Sequence, residues 1–296
     1  MKLIAILFLA VALEMSGAVI LLKPATAASQ TLADHLAAQL ASRTNGNGFN
    51  FIGVKTNNST LVGFPPVVAA DFWLRDVSNI LASSHFYKTP SGWGVGACLS
   101  PISPRHCVAT QHVTGNNGNA YLTNLWLRPD GTTYTNWIIA QTNLGGDLDV
   151  VLMANTNCAW FQVLPDVSAK VVKNYARGLP AVGVLMHHAS RPTSYVTTFT
   201  AALTSPGQYG HTWNNFQFGD YSQGYAQIVG DSSSPTYAII AGEAVLVDQT
   251  YLSSMTGPSV GVRVAEVNAA MQNLSLNNAA PIYAVTLYDL SRFPDL

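Results

Sequence analysis

Three side chains of this sequence are, in chain order, the chemical types that nucleophilic catalysis by a hydroxyl requires: His112, Asp149 and Ser232. A serine hydroxyl is a poor nucleophile at neutral pH, so it needs a base within hydrogen-bond reach and a third group that fixes the tautomer of that base. Ser232 lies in the turn-prone stretch Gly230-Asp231-Ser232-Ser233-Ser234-Pro235, where a hydroxyl can stand exposed beside backbone N–H groups. His112 ends the β-like run Cys107-Val108-Ala109-Thr110-Gln111, and Asp149 opens the apolar run Val150-Val151-Leu152-Met153. Two rivals are nearby. His106 is a second imidazole, read as part of an exposed turn with Arg105 after Pro104, and Asp147 is a second carboxylate that would share the facing of Asp149 in a strand.

His, Asp and Ser in this order resemble the trypsin/chymotrypsin-like serine peptidases, whose serine sits in Gly-Asp-Ser-Gly-Gly-Pro or Gly-Asp-Ser-Gly-Ser-Pro. Ala109-Thr110-Gln111-His112 takes the place of that family's Thr/Ser-Ala-Ala-His, and Asp149-Val150-Val151-Leu152 that of Asp-Ile-Ala-Leu. The second match favours Asp149 over Asp147. The resemblance implies His112 as base, Asp149 as the group that orients it, Ser232 as nucleophile, and the N–H groups of Gly230 and Ser232 as the oxyanion hole. It also implies a neutral specificity pocket with Ala226 at its floor, and walls from Asp248 to Thr250 and from Ser259, hence cleavage after small or apolar residues. Asp231 would lie buried behind the turn and would need a partner for its charge. The sequence departs from the family at Ser233, where glycine is usual, at Gln111, where a small residue is usual, and at Val113, where cysteine is usual. No Ile-Val-Gly-Gly precedes Gly92, and the resemblance spans about Gly92 to Leu274.

The function implied is an exported serine endopeptidase that acts on protein or peptide substrate through an acyl-enzyme. The alternative is a catalytically inactive relative of the same fold that binds protein or a cell surface, with Ser233 and Gln111 as its signs. An α/β-hydrolase esterase is excluded because its elbow, Gly-x-Ser-x-Gly, would need glycine where Ser234 stands. No cofactor and no metal are called for. The pair His187-His188 lacks a neighbouring carboxylate and would point to opposite faces of a strand, and the cysteine spacing fits no zinc site.

Composition sets the outer limits. The chain has 296 residues, 48% of them hydrophobic, enough for two cores of about 100 residues each. Only 10% are charged, below the ~25% of an ordinary soluble domain, which suits an exported protein with an Asn-, Ser- and Thr-rich surface. Net charge is -1 with no cluster of Lys or Arg, so nucleic acid is not an expected partner. Lys2, the apolar run Leu3 to Leu13, and Ala25-Thr26-Ala27 read as an export signal with its cleavage site, placing the product in the periplasm or outside the cell. No integral membrane span is expected after cleavage, and the product is expected to be a monomer. Cys98 and Cys107 could bridge across neighbouring strands, or all three cysteines, Cys158 included, could be buried thiols.

The elements that must position these residues are mostly strands. From Gly92 onward, short β-rich runs alternate with Gly, Pro and Asn, and Asp130-Gly131 signals a hairpin. Apolar spacing predicts helices over Thr31 to Arg43, Phe72 to Phe86 and Val262 to Leu274. The fold class expected is all-β. The resemblance refines this to two packed six-stranded antiparallel β-barrels, chymotrypsin-like, with an N-terminal helical extension and a C-terminal helix. Residues 1–28 are read as the signal peptide, 29–50 as extension and linker, 51–160 as the first barrel, 161–276 as the second barrel with the last helix, and 277–296 as a tail.

Overall fold

The computed structural model describes residues 31–44, 52–55, 67–68, 74–80, 82–84, 86–89, 92–95, 99–115, 123–127, 132–157, 159–167, 179–185, 193–205, 208–212, 232–249 and 256–296. Helix α1 (Leu32–Thr44) is started by Thr31, whose hydroxyl accepts the Asp34 N–H at 3.1 Å, and it buries Leu32 and Leu36. Strands β1 (Ile52–Lys55), β2 (Val67–Val68), β3 (Phe86–Thr89), β4 (Gly92–Val95), β5 (Ser100–Pro101) and β6 (His106–Thr110) lead to a four-residue helix, α2 (Gln111–Thr114). Next come β7 (Thr123–Leu127), β8 (Thr133–Asn143), β9 (Leu148–Met153), β10 (Leu179–Leu185) and β11 (Thr193–Ser205). Then β12 (Gln208–Thr212), β13 (Pro235–Ile240), β14 (Glu243–Gln249), β15 (Thr256–Pro258) and helix α3 (Val264–Asn277) complete the order.

The fold is mostly strand, with an antiparallel sheet that curls as half a barrel. Seven strands pair in the order β4-β3-β7-β8-β9-β6-β5, and eight in a second sheet along β14-β13-β10-β11-β1-β2, with β12 on β11 and β15 on β12. Leu127 pairs with Thr133, so the strands flanking Asp130-Gly131 are antiparallel partners, as the hairpin signal predicts. Residues 52–55 and 67–68 form β1 and β2 in the second sheet, although they were expected beside the strands of the first. The helix expected over Phe72 to Phe86 does not form. Leu74 to Ile80 is a run of turns, with Asn79 in the left-handed region at φ 63, Ser78 bridging Glu243, and Phe86 already in β3.

Three apolar clusters explain the strand pattern. Alternate residues of β9 face different clusters: Leu148, Val150 and Leu152 meet α3 and the second sheet, while Val151 and Met153 join Cys107, Ala109 and Trp126 inside the first sheet. In β13, Tyr237 and Ile239 point into the shared cluster, and Ala238 and Ile240 into a third one with Leu32, Leu36, Leu290 and Phe293. Both faces of these strands are therefore buried, which is why they read as continuous apolar runs. α1 closes the third cluster, where His35 Nε2 accepts the Ala241 N–H at 3.3 Å and the Arg292 guanidinium at 3.1 Å.

His106 corrects another expectation. It is the first residue of β6 and fully buried, not an exposed turn residue. Its Nδ1 lies 3.0 Å from Ser103 Oγ and its Nε2 3.2 Å from Ser275 Oγ, so the ring ties β6 to α3. Burial, with a smaller contribution from the Arg105 charge, pushes its pKa down to about 4, against a partial opposing effect of a bond to the Met271 backbone. Cys107 is a buried free thiol that accepts from Asn157 Nδ2 at 3.6 Å, and burial pushes its pKa up. The Cys98 bridge is thus not made; Cys98 and Cys158 lie outside the described residues.

The His106 ring makes a prediction for stability against pH. Its folded pKa lies below the unfolded value of 6.5, so the unfolded chain binds a proton that the folded chain refuses between these two values. Its contribution is complete above pH 6.5, falls as pH is lowered, and is exhausted below about pH 4. Urea titrations across that window should show a stability slope that shrinks in His106→Gln. An unchanged slope in the variant would refute the assignment.

Candidate functional site

α2 follows β6 without a break, and it carries His112 to the end of the first sheet. There the imidazole Nδ1 is 2.6 Å from Asp147 Oδ2, and the His112 N–H donates to Asp147 Oδ1 at 2.9 Å. The Gln111 N–H donates to the Asp147 carbonyl at 2.9 Å, so residue 147 grips both the ring and the backbone that bears it. A carboxylate only accepts, which puts the ring proton on Nδ1 and leaves Nε2 of a neutral imidazole with its lone pair free to take a proton. That is the tautomer a general base requires. The pair is partly open to solvent, with side-chain exposures of 30% for His112 and 17% for Asp147.

Asp147 holds this position because it is not in the strand. Gly145, Gly146 and Asp147 have φ of 75, 63 and 63, three successive left-handed residues that turn the chain before β9 begins at Leu148. The expected alternation with Asp149 therefore does not apply. Asp149 is not on the imidazole: it is buried in β9, with Oδ1 accepting from Asn143 Nδ2 at 2.9 Å and Oδ2 accepting from the Thr114 hydroxyl. The two carboxylates hold opposite ends of α2, Asp147 at His112 and Asp149 at Thr114. These bonds are what make a buried carboxylate tolerable at Asp149.

Ser232 occupies a half-buried turn position just before β13. Its neighbour Ser233 is fully buried in the left-handed region, at φ 72, the conformation for which glycine is the natural choice. The hydroxyl at this position offsets the strain. Successive N–H groups of a strand point to opposite sides, so with Gln111 directed at Asp147 the Thr110 N–H is turned away from β9. Ser233 Oγ accepts it at 3.0 Å and in turn donates to Gln249 Oε1 at 3.2 Å. The turn bearing Ser232 is thereby bonded to the strand that leads into α2, two residues before His112. Thr110 Oγ1, Ser234 Oγ and Gln249 Nε2 are buried around this junction without a hydrogen bond to a described residue.

The structure thus brings His112 and Asp147 into direct contact and ties the Ser232 turn to β6, while no hydrogen bond joins Ser232 to His112 among the described residues. Asp248 is buried in β14, bridged to Ser259, and Ser259 Oγ accepts the Val262 N–H at 3.4 Å at the approach to α3. Ala226, Gly230, Asp231, Thr250, His187 and His188 lie outside the described residues. Ser233 as a connecting residue was not foreseen from the sequence, and Asp147, placed there behind Asp149, is the partner of His112; the Gly-Gly pair before Asp147 was the available signal that this residue belongs to a turn. Compared with family models, the chain matches none, and no curated protein matches it.

Two substitutions at Ser233 separate strain from hydrogen bonding. Ser233→Gly removes a left-handed penalty of about 1 kcal/mol but leaves the Thr110 N–H unpaired, whereas Ser233→Ala keeps the penalty and loses the same bonds. The alanine variant should be the less stable by about 1 kcal/mol. Urea unfolding of both proteins checks the order, and equal stabilities would remove the role given to the backbone conformation.

Proposed function

We propose that this chain is an exported serine endopeptidase of trypsin-like fold that hydrolyses peptide bonds through an acyl-enzyme. The observation that carries the proposal is the 2.6 Å contact of His112 Nδ1 with Asp147, at the end of the strand to which the Ser232 turn is bonded. In this reading His112 is the base, Asp147 rather than Asp149 fixes its tautomer, and Ser232 attacks the substrate carbonyl. The proton moves from Ser232 Oγ to His112 Nε2 and then to the leaving amine, while backbone N–H groups of Gly230 and Ser232 stabilise the oxyanion. Water repeats the sequence to release the acid. The two-barrel architecture belongs to this proposal; its support is that each sheet covers an apolar cluster of its own, that of the second sheet closed by α1, Leu290 and Phe293, and that the shared cluster lies between the sheets. Export rests on the segment before residue 29, and no helix among the described residues is long and apolar enough to cross a membrane.

A fluorophosphonate probe tests the nucleophile directly. Labelling mapped to Ser232 by mass spectrometry, and lost in Ser232→Ala and His112→Ala, is the expected result. Absence of labelling in the folded, mature protein would instead favour the non-catalytic binding module. For a labelled enzyme, Asp147→Asn should lower kcat by about 10⁴-fold through the wrong imidazole tautomer. Asp149→Asn should chiefly lower stability, because it weakens the bonds that hold Thr114 and Asn143. If Asp149→Asn proved the more damaging to kcat in folded protein, the assignment of the carboxylates would be reversed. With Ala226 at the pocket floor, profiling of a peptide library should show cleavage after small or apolar residues, and selection for Lys or Arg would contradict this.

A further inference from the structure

In the Gly145-Gly146-Asp147 turn, Asp147 is bonded to Gln111 and His112, but the two glycines that set its position have no packing of their own. A Cβ built on Gly145 would meet nothing within 4 Å, and one on Gly146 would meet only Arg263 Nη1, at 3.6 Å. Glycines in open space leave the backbone many conformations, so an unsupported turn of this kind would let the Asp147 carboxylate wander. Local bonds give some restraint: Asn143 Oδ1 accepts the Gly145 N–H at 2.9 Å, and the Leu144 N–H donates to the Leu148 carbonyl at 2.9 Å. A larger restraint comes from a residue 118 positions away. Arg263 Nη1 donates to the Gly145 carbonyl at 2.7 Å and Nη2 to the Leu144 carbonyl at 2.5 Å.

The guanidinium is itself held at both ends. Glu266 Oε2 accepts from its Nη2 at 2.5 Å and from its Nε at 3.2 Å, and the side chain is only 18% exposed. Arg263 stands at the start of α3, whose Val267, Ala270, Met271 and Leu274 are fixed in the shared apolar cluster. A planar fork can span two successive carbonyls and a carboxylate at once, which an ammonium on a flexible stem does less well. A rigid helix thus presses a rigid cation onto the one turn that orients the imidazole.

We infer that Arg263 is a positioning residue for the His112–Asp147 pair: it acts through the Leu144–Asp147 turn to keep the ring in its base-competent orientation. This rests on the endopeptidase reading for its effect on turnover, but not for its effect on the ring. The test follows both in Arg263→Ala, with Arg263→Gln and Arg263→Lys as companions. Nitrogen-15 NMR of the imidazole reads the proton on His112 Nδ1, and steady-state kinetics read kcat and KM. In Arg263→Ala the Nδ1 proton should broaden by exchange, and kcat should fall about 10-fold with KM changed by less than about 2-fold. Arg263→Lys should restore part of both. A folded Arg263→Ala protein with the wild-type Nδ1 signal and kcat would overturn the inference. Should Arg263→Ala fail to fold, Arg263→Gln, which keeps part of the apolar stem but is too short and uncharged to clamp both carbonyls, decides by the same signal: broadening supports the inference and a wild-type signal overturns it. If the wild-type protein neither labels nor turns over, the endopeptidase reading falls, and the Nδ1 signal still decides the role of Arg263.

Discussion

No residue of β6, β9 or β13 is left on a solvent-facing side, and in β14 only Glu243 is partly open. That constraint governs everything polar near the site. A group that enters such strands must find its partners inside the protein or carry a desolvation cost of a few kcal/mol. His106 finds Ser103 and Ser275, Asp149 finds Asn143 and Thr114, and Ser233 finds Thr110 and Gln249. Apart from the Asp149–Asn143 bond, which runs between the paired strands β9 and β8, these bonds join a strand to a turn or a helix. The network that satisfies buried polar groups is therefore also the network that fixes α2, α3 and the Ser232 turn around the end of the first sheet.

The same constraint decides what the sequence makes legible. Strands with two buried faces advertise themselves as apolar runs, so β9, β13 and β14 fall within a few residues of where hydropathy puts them, and α1 and α3 show their apolar spacing equally well. The segment from Phe72 to Phe86 has similar spacing but a different cause. Leu74, Val77 and Ile80 are buried because turns drop them one by one into the shared cluster, not because one helical face packs there. A period-3 pattern over so short a stretch does not distinguish the two. β1 and β2 were beyond reach because β1 pairs with β11, far away in sequence, and β2 joins that sheet only through β1.

At the site, residue types were legible and backbone geometry was not. His112 and the choice between two carboxylates could be read directly, but the choice turned on where β9 starts. One left-handed residue more or less changes which carboxylate faces the imidazole, and that is fixed by the Gly-Gly pair, not by apolar successors. Ser233 shows the opposite failure. A side chain where glycine is usual reads as crowding, yet its hydroxyl meets an N–H that β9 leaves unused. A departure from a familiar pattern is here compensated by contacts that only three-dimensional placement supplies.

The two ends of the described chain meet. Leu32 and Leu36 of α1 share a cluster with Leu290 and Phe293, His35 stacks edge-on against Phe293 with ring centroids 5.4 Å apart, and the Leu32 N–H donates to Asp295 Oδ1 at 3.3 Å. A polypeptide emerges N-terminus first, from a ribosome or from a translocation channel. Its first helix therefore has no complete seat until nearly the whole chain has followed it. Until then two apolar leucines, and the buried faces of β13 and β14 that they cover, stay open to solvent or to a holding chaperone. Docking of α1 is thereby a contact of high sequence separation, made only once residues 290–295 are present.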